Sequence, residues 1–182
     1  MPARLTAAVF VLFCEHEGEP SLLLIKRSET LGRHRGEWAF PGGVVEPGDR
    51  TLMDTALRET VEELGVSPEA VDRWGALDAV MTSSGYLVWP FTGRLNDAAE
   101  ISPSEREVAD VIKAPLNVFT DESAVRTITL MQESDTRNWQ AYAYNGRIIW
   151  GATARIIRLA IDAIGSSSSQ VPVNVPTRRS RD

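Results

Sequence analysis

Three glutamates, Glu59, Glu62 and Glu63, are spaced at i, i+3 and i+4 in one segment of the chain. A helix rotates by about 100° per residue, so these side chains would lie within roughly one third of its circumference. Like-charged side chains at this spacing repel one another by about a few tenths of a kcal/mol per pair. A divalent cation removes that repulsion, and carboxylate oxygens are ligands that suit Mg²⁺ or Mn²⁺. The spacing therefore predicts a metal site, and the alternative is a solvated acidic helix face.

The segment around the glutamates contains the signals that would start and end such a helix. Thr51 and Asp54 form a pair like a capping box, with Asp49 as the other candidate cap, and Gly65 is suited to end the helix. Arg58 lies one turn before Glu62, so it can pair with Glu62 or with Asp49 and position the acidic face. A separate arc of the helix is apolar and would face a core: Met53, Ala56, Leu57, Val61 and Leu64.

The stretch from Gly43 to Val66 resembles the Nudix box, G-x5-E-x7-R-E-U-x-E-E-x-G-U, in which U is a bulky aliphatic residue. It departs from that pattern by one extra residue between Asp49 and Arg58 and by Thr60 at the first U position. Both departures are found in the branch of the family that is similar to coenzyme A diphosphatases. The flanking segments resemble the same branch: Leu23 to Ser28 with Gly36, Phe40 to Gly43, Glu107 to Val111 with Pro115, and Trp150 to Thr153.

The resemblance implies a Nudix-type α/β/α sandwich with a mixed central sheet, whereas the pattern of elements alone indicates only an α/β or α+β fold. It also implies a metal-dependent diphosphatase that uses Mg²⁺ or Mn²⁺ and acts on a small-molecule nucleotide. The implied metal ligands are Glu59, Glu62, Glu63 and the carbonyl of Gly43. The implied catalytic residues are Glu62, Glu63 and a base at Glu107, and the implied substrate-binding residues are Arg27, Arg33, Gly42 and Gly43.

Alternatives stay open for two of these groups. Glu105 is the second candidate for the base, and Glu107 can instead be an unpartnered surface acid. The cationic loop from Ser28 to Gly36, which contains Arg33, can be a solvated surface loop rather than a phosphate-binding one. A loop of this kind beside a metal helix suits phosphate because arginine binds phosphate oxygens in pairs.

The substrate that the branch implies is coenzyme A, which would be hydrolysed to 3′,5′-ADP and 4′-phosphopantetheine. Hydrolysis of ADP-ribose or NADH is the main alternative. A Nudix module that binds a nucleotide without turnover is a further alternative, and the presence of all the box glutamates argues against it.

Composition bounds the class of protein. The chain has 182 residues, of which 43% are hydrophobic, so we expect a single domain over residues 1–164 and a disordered tail over residues 165–182. A net charge of −6 argues against nucleic acid as a partner. Cys14 is the single cysteine, which excludes an intramolecular disulfide, and two histidines are too few for a zinc cluster. No apolar run reaches the roughly 18 residues of a membrane span, so a cytoplasmic location is expected, with association into a homodimer left open.

The remaining elements follow from periodicity and turn signals. Leu5 to Phe13 is interpreted as a buried strand rather than a signal peptide. Pro90 indicates an edge strand or a bulge, because proline cannot donate to a ladder. A helix is predicted from Ile148 to about Ile164, with a core stripe at Trp150, Ala154, Ile157 and Ile161. The other predicted strands cover residues 21–27, 37–40, 71–81, 86–95, 124–131 and 139–144, and the polar stretch 132–138 separates the last two.

Overall fold

The computed structural model describes residues 5–29, 35–132 and 135–166. The strands are β1 (Thr6–His16), β2 (Glu19–Arg27), β3 (Trp38–Ala39), β4 (Gly42–Val44), β5 (Val71–Ala76), β6 (Val80–Met81), β7 (Leu87–Leu95), β8 (Val108–Pro115), β9 (Val125–Gln132), β10 (Asp135–Tyr144) and β11 (Arg147–Trp150). The helices are α1 (Leu52–Leu64), α2 (Asn117–Thr120) and α3 (Gly151–Ser166). Within the described ranges no helix is long and apolar enough to cross a bilayer.

The central sheet is mixed. Its strand order is β3-β2-β1-β7-β5, with β4 beside β1, β6 beside β7 and β8 beside β2. The β1 and β7 strands run parallel, whereas the other pairings in this sheet are antiparallel. A second, antiparallel sheet has the order β11-β10-β9.

Two apolar cores lie on opposite faces of the central sheet because side chains alternate along β1. Phe10 and Leu12 face the core that includes Ala56 and Leu64 of α1. Val11 faces the other core, to which α3 and the small sheet contribute. The molecule thus has helices on both faces of a mixed sheet, which confirms the predicted fold.

The predicted helix from Ile148 begins too early. Asn145 and Gly146 both have positive φ, at 47° and 74°, and they close the turn between β10 and β11. Ile148, Ile149 and Trp150 therefore continue as a strand, which suits β-branched side chains. Gly151, with φ of 66°, turns the chain into α3. Trp150 consequently does not belong to the helical core stripe.

α3 extends through residues 165 and 166, slightly past the predicted end of the helix. The rest of the predicted tail lies outside the described residues. Part of the polar stretch that was predicted to separate the last two strands instead belongs to β10, which begins at Asp135.

Pro90 lies in an interior strand rather than at an edge, since β7 has β1 on one side and β5 and β6 on the other. The carbonyl of Pro90 accepts a hydrogen bond from the N–H of Leu77, at 2.8 Å, in the gap between β5 and β6. The N–H and C=O of one strand residue point to the same side. The nitrogen of Pro90, which carries no hydrogen, therefore faces the break between β5 and β6. The stretch from Val71 to Met81, which was predicted as one strand, is divided at this break.

Candidate active site

The helix that carries the glutamates is fixed at both ends by the predicted residues. The hydroxyl oxygen of Thr51 accepts a hydrogen bond from the N–H of Asp54 at 3.1 Å, which identifies Thr51 as the N-cap. Gly65 adopts φ of 65° and donates its N–H to the carbonyl of Val61, at 2.9 Å. The glutamates therefore project from a helix whose register is defined by its caps.

The C-terminal end of α1 is bound to a distant loop. The N–H groups of Ser102 and Ser104 donate to the carbonyls of Leu64 and Glu63, at 2.8 and 3.0 Å. Carbonyls in the last turn of a helix have no partner within the helix, so these contacts satisfy two of them. A Cβ at Gly65 would overlap the carbonyl of Ser102, which shows how closely the loop approaches.

Glu63 is the most buried of the three box glutamates, with only 3% of its side chain exposed. Its Oε2 accepts a hydrogen bond from the N–H of Gly42 at 2.9 Å, and its Oε1 lies 3.5 Å from a guanidinium nitrogen of Arg27. Burial raises the pKa of Glu63 to about 8, although the contacts with Gly42 and Arg27 oppose the shift. The carboxylates of Glu59 and Glu107 raise this pKa further through their negative charge.

Glu59 lies against the glycine turn. A Cβ at Gly43 would overlap the Glu59 carboxylate where it lies, so this side chain and the glycine turn approach each other closely. Burial raises the pKa of Glu59, the Arg58 guanidinium opposes this, and the carboxylates of Glu62 and Glu107 add to it.

Gly42 is required for a different reason. Its φ is 154°, and a Cβ at this position would overlap the backbone carbonyl of Ala8 in β1. The two glycines therefore have separate roles: Gly42 allows the strand β4 to approach β1, and Gly43 accommodates a carboxylate.

Arg58 uses all five of its N–H groups. Its guanidinium donates to both carboxylate oxygens of Asp49, at 3.0 and 3.1 Å, and to the carbonyl of Val44, at 3.1 Å. One terminal nitrogen also donates to Glu59, at 3.0 Å, and to Glu62, at 3.1 Å. Arg58 thus joins the turn before α1 to two of the box glutamates, as the sequence predicts for a positioning residue.

Asp49 completes this network from the turn. Its Oδ2 also accepts hydrogen bonds from the N–H of Glu46 at 2.9 Å and from the hydroxyl of Thr55 at 2.8 Å. The Arg58 guanidinium and these donors hold the pKa of Asp49 well below its usual range. The turn is therefore anchored by an ionised aspartate. The hydrogen bond from Thr55 to Asp49 could not be predicted from the sequence.

Glu107 is held by backbone contacts on both sides. Its N–H donates to the carbonyl of Ser104 at 3.0 Å, and its carbonyl accepts from the N–H of Ser28 at 2.9 Å. Its charge raises the pKa values of both Glu59 and Glu63. Glu105, the second candidate for the base, is exposed and contributes to neither shift. Glu107 is thus the less exposed of the two acids and the one whose charge acts on Glu59 and Glu63.

The structure joins Glu63 to Arg27 and Gly42, and it places Glu59 against Gly43. Glu107 acts on both glutamates through its charge. Glu62 belongs to the same helix but has about half of its side chain exposed and contacts Arg58. Within the described part of the chain, no three acidic side chains already converge into a set that could hold a metal ion. Arg33 lies outside the described residues.

The donor set nevertheless fits a hard divalent cation. The cluster offers carboxylate oxygens, which Mg²⁺ and Mn²⁺ prefer, and two of its carboxyl groups are buried at a cost that a bound cation would offset. Each of the box glutamates makes its arginine contact through a single oxygen. The other oxygen of Glu63 accepts the hydrogen bond from the N–H of Gly42.

Comparison with known proteins identifies the class of protein. Residues 4–124 match the family described as NUDIX domain. The chain is 35% identical over 154 residues to the uncharacterized Nudix hydrolase NudL of Photorhabdus laumondii subsp. laumondii, covering 85% of this chain and 81% of that relative. It is 34% identical over 155 residues to the uncharacterized NudL of Yersinia pestis, covering 85% and 77% of the two chains.

Solved structures show the same fold at lower sequence identity. The Nudix hydrolase RenU of M. smegmatis gives a TM-score of 0.61 at 17% identity, covering 96% of this chain and 91% of that one. The NUDIX domain of Shewanella oneidensis NrtR, complexed with ADP ribose, gives 0.59 at 22% identity, covering 90% of each chain. The chain belongs to the Nudix hydrolase family, whose members hydrolyse diphosphate linkages and typically use a divalent metal ion.

Proposed function

We propose that the protein hydrolyses the diphosphate linkage of a nucleoside diphosphate derivative, with coenzyme A as the first candidate substrate. The observation that carries the proposal is the cluster formed by Glu59, Glu63 and Glu107 beside Arg27. In this cluster burial and mutual repulsion raise the pKa values of two carboxyl groups. Such a cluster is costly for the fold alone, and perturbed carboxyl groups in one place are typical of functional sites.

A diphosphate is an anion that repels hydroxide, so its hydrolysis depends mainly on charge neutralisation and on placement of the attacking water. Glu59, Glu62 and Glu63, with the carbonyl of Gly43, would hold Mg²⁺ or Mn²⁺. When bound, the ion would neutralise part of the negative charge of the diphosphate.

The other residues act directly on the reactants. Arg27 would bind a phosphate oxygen, and Arg33, six residues further along the chain, would bind another. Glu107 would accept the proton of the attacking water, because it lies at the cluster and its loop is held by α1 and by Ser28. The water oxygen forms a bond to one phosphorus while the bond from that phosphorus to the bridging oxygen breaks. The other phosphate leaves with the bridging oxygen, and the proton of the water goes to Glu107.

The preference for coenzyme A comes from the resemblance of the box spacing and of the flanking segments to the coenzyme A diphosphatase branch. A substrate panel tests it: purified protein is incubated with coenzyme A, ADP-ribose, NADH and dinucleoside polyphosphates in Mg²⁺ or Mn²⁺, and products are separated by chromatography. We expect 3′,5′-ADP and 4′-phosphopantetheine to form fastest. Preferential cleavage of ADP-ribose or NADH would overturn the substrate, and survival of every compound with folded protein would overturn the activity.

Glu107→Gln is expected to lower kcat about 100-fold with little change in KM, because a general base contributes mainly to the chemical step. Steady-state kinetics on the best substrate of the panel measure both constants. Glu105→Gln is the matched control, since Glu105 is an exposed acid in the same loop. Equal rates for Glu107→Gln and the unmodified protein, or a larger loss in Glu105→Gln, would remove Glu107 from the mechanism.

A further inference from the structure

Arg27 and Glu63 are partners in the structure. The guanidinium of Arg27 lies 3.5 Å from Oε1 of Glu63, and the side chain of Arg27 is 27% exposed whereas that of Glu63 is 3% exposed. The other oxygen of Glu63 is occupied by the N–H of Gly42. Both oxygens of the buried carboxylate are therefore in contact with groups of the protein itself.

The proposed function gives each of these two side chains a different partner. Glu63 would ligate a divalent cation, and Arg27 would bind a phosphate group. A metal ion and a guanidinium in contact with the same carboxylate oxygen repel one another, so each weakens the contact of the other. Because the Arg27 contact is long, at 3.5 Å, we expect it to end when the ion binds.

We propose that Arg27 is a placeholder for the metal ion: it occupies Glu63 until the ion binds, and its release then makes it available to the phosphate. This inference rests on the proposed function and adds an order of events to it, in which metal binding precedes tight phosphate binding. Binding free energies are reciprocal, so the metal strengthens phosphate binding and the phosphate strengthens metal binding.

The surroundings of Arg27 allow its side chain to move while its backbone stays in place. Its N–H donates to the carbonyl of Glu37, and its carbonyl accepts from the N–H of Gly36, each at 3.0 Å. The partly exposed side chain has solvent on one side into which it can turn. Arg58 cannot have the same role, because its five N–H groups bind the turn and the helix at once.

The first measurement is calorimetric titration of Mg²⁺ alone into the metal-free protein. We expect Arg27→Gln to bind Mg²⁺ about fivefold more tightly than the unmodified protein, since the competing cation is gone. Lys26→Gln is the matched control. It removes the same charge one residue away, and Lys26 pairs with Trp38 and Asp110 across the sheet, on the opposite face from Glu63. Its Mg²⁺ affinity is expected to stay within twofold.

The second measurement is the affinity for methylenediphosphonate, a diphosphate analogue that cannot be hydrolysed, with and without saturating Mg²⁺. With Mg²⁺, Arg27→Gln is expected to bind it about tenfold more weakly than the unmodified protein, because a charged hydrogen bond to phosphate is lost. Without Mg²⁺ the two proteins should agree within twofold, because Arg27 is then held by Glu63.

Two results would overturn the placeholder role: unchanged Mg²⁺ affinity in Arg27→Gln, or an equal loss of phosphonate affinity with and without Mg²⁺. Glu63→Gln separates this failure from failure of the proposed metal site. If Glu63→Gln loses Mg²⁺ binding and Arg27→Gln behaves as the unmodified protein, the inference alone is wrong. If Glu63→Gln binds Mg²⁺ normally, the proposed metal site is wrong as well.

Discussion

Glu63→Gln is expected to lower kcat about 1,000-fold, because it removes a charged metal ligand from the centre of the cluster. The amide keeps the size of the side chain and an oxygen that can accept the hydrogen bond from Gly42. The fold should therefore survive, and circular dichroism with the near-ultraviolet aromatic signal checks this. Kinetics at saturating Mg²⁺ and at saturating Mn²⁺ measure the loss.

Glu100→Gln is a suitable control, since Glu100 is an exposed glutamate outside the cluster. Its rate should match that of the unmodified protein. Full activity in Glu63→Gln would mean that the buried carboxylate does not take part in the reaction, and the proposed metal ligands would have to be abandoned.

Although Glu63→Gln is expected to lower activity, it is expected to raise the stability of the protein when no metal is present. The pKa of Glu63 rises from 4.5 to about 8 on folding, so between these pH values the folded protein holds a proton that the unfolded chain has released. The free energy of unfolding therefore falls as pH rises through this window, by on the order of a few kcal/mol. In EDTA, Glu63→Gln should match the unmodified protein near pH 4.5 and melt at a higher temperature near pH 8. Parallel melting curves at all pH values would contradict this.

Arg58→Lys is expected to have the second largest effect, at least about a 100-fold loss of kcat/KM together with a melting temperature lower by several degrees. A lysine ammonium is a compact donor, so it cannot reach the separate acceptors that the planar guanidinium joins. Glu59 and Glu62 would lose their common partner, and small displacements of catalytic groups cost rate steeply. Asp49 would also lose its two parallel hydrogen bonds.

Arg73→Lys provides the control for that substitution, because Arg73 is an exposed residue of β5 remote from the acidic network. Kinetics and thermal unfolding of both variants should be measured in the same buffer. Unmodified kcat/KM in Arg58→Lys would show that the network around Arg58 is not needed to position the site.

The features that could be predicted from the sequence are those that depend on neighbouring residues. Thr51 and Gly65 form caps through contacts within one helical turn, so their residue types carry the signal. Arg58 is within one turn of Glu62 and near Asp49 in the chain, and the contacts expected between them are present. The mixed sheet between helices was implied by the resemblance of a short stretch to the Nudix box.

The features that could not be predicted join segments that are far apart in the chain. No local pattern connects Arg27 with Glu63, or the N–H of Ser104 with the carbonyl of Glu63. Tertiary pairing also decided the conformation of Ile148 to Trp150. Their spacing fits a helix, but the turn at Asn145 aligns them with β10, so they form a strand. Backbone contacts and strand pairing of this kind leave little trace in residue type.

The bond between the end of α1 and the loop before β8 has a practical consequence for redesign of the enzyme. Because the backbones of Ser102 and Ser104 are attached to the last turn of the helix, and Glu107 is attached to Ser104, these parts form one mechanical unit. Inserting residues within this unit would disturb the acids on both segments at once. Ala98 and Glu100 are exposed and come before the first of these attachments, so an engineer could insert residues there while leaving the attachments unchanged.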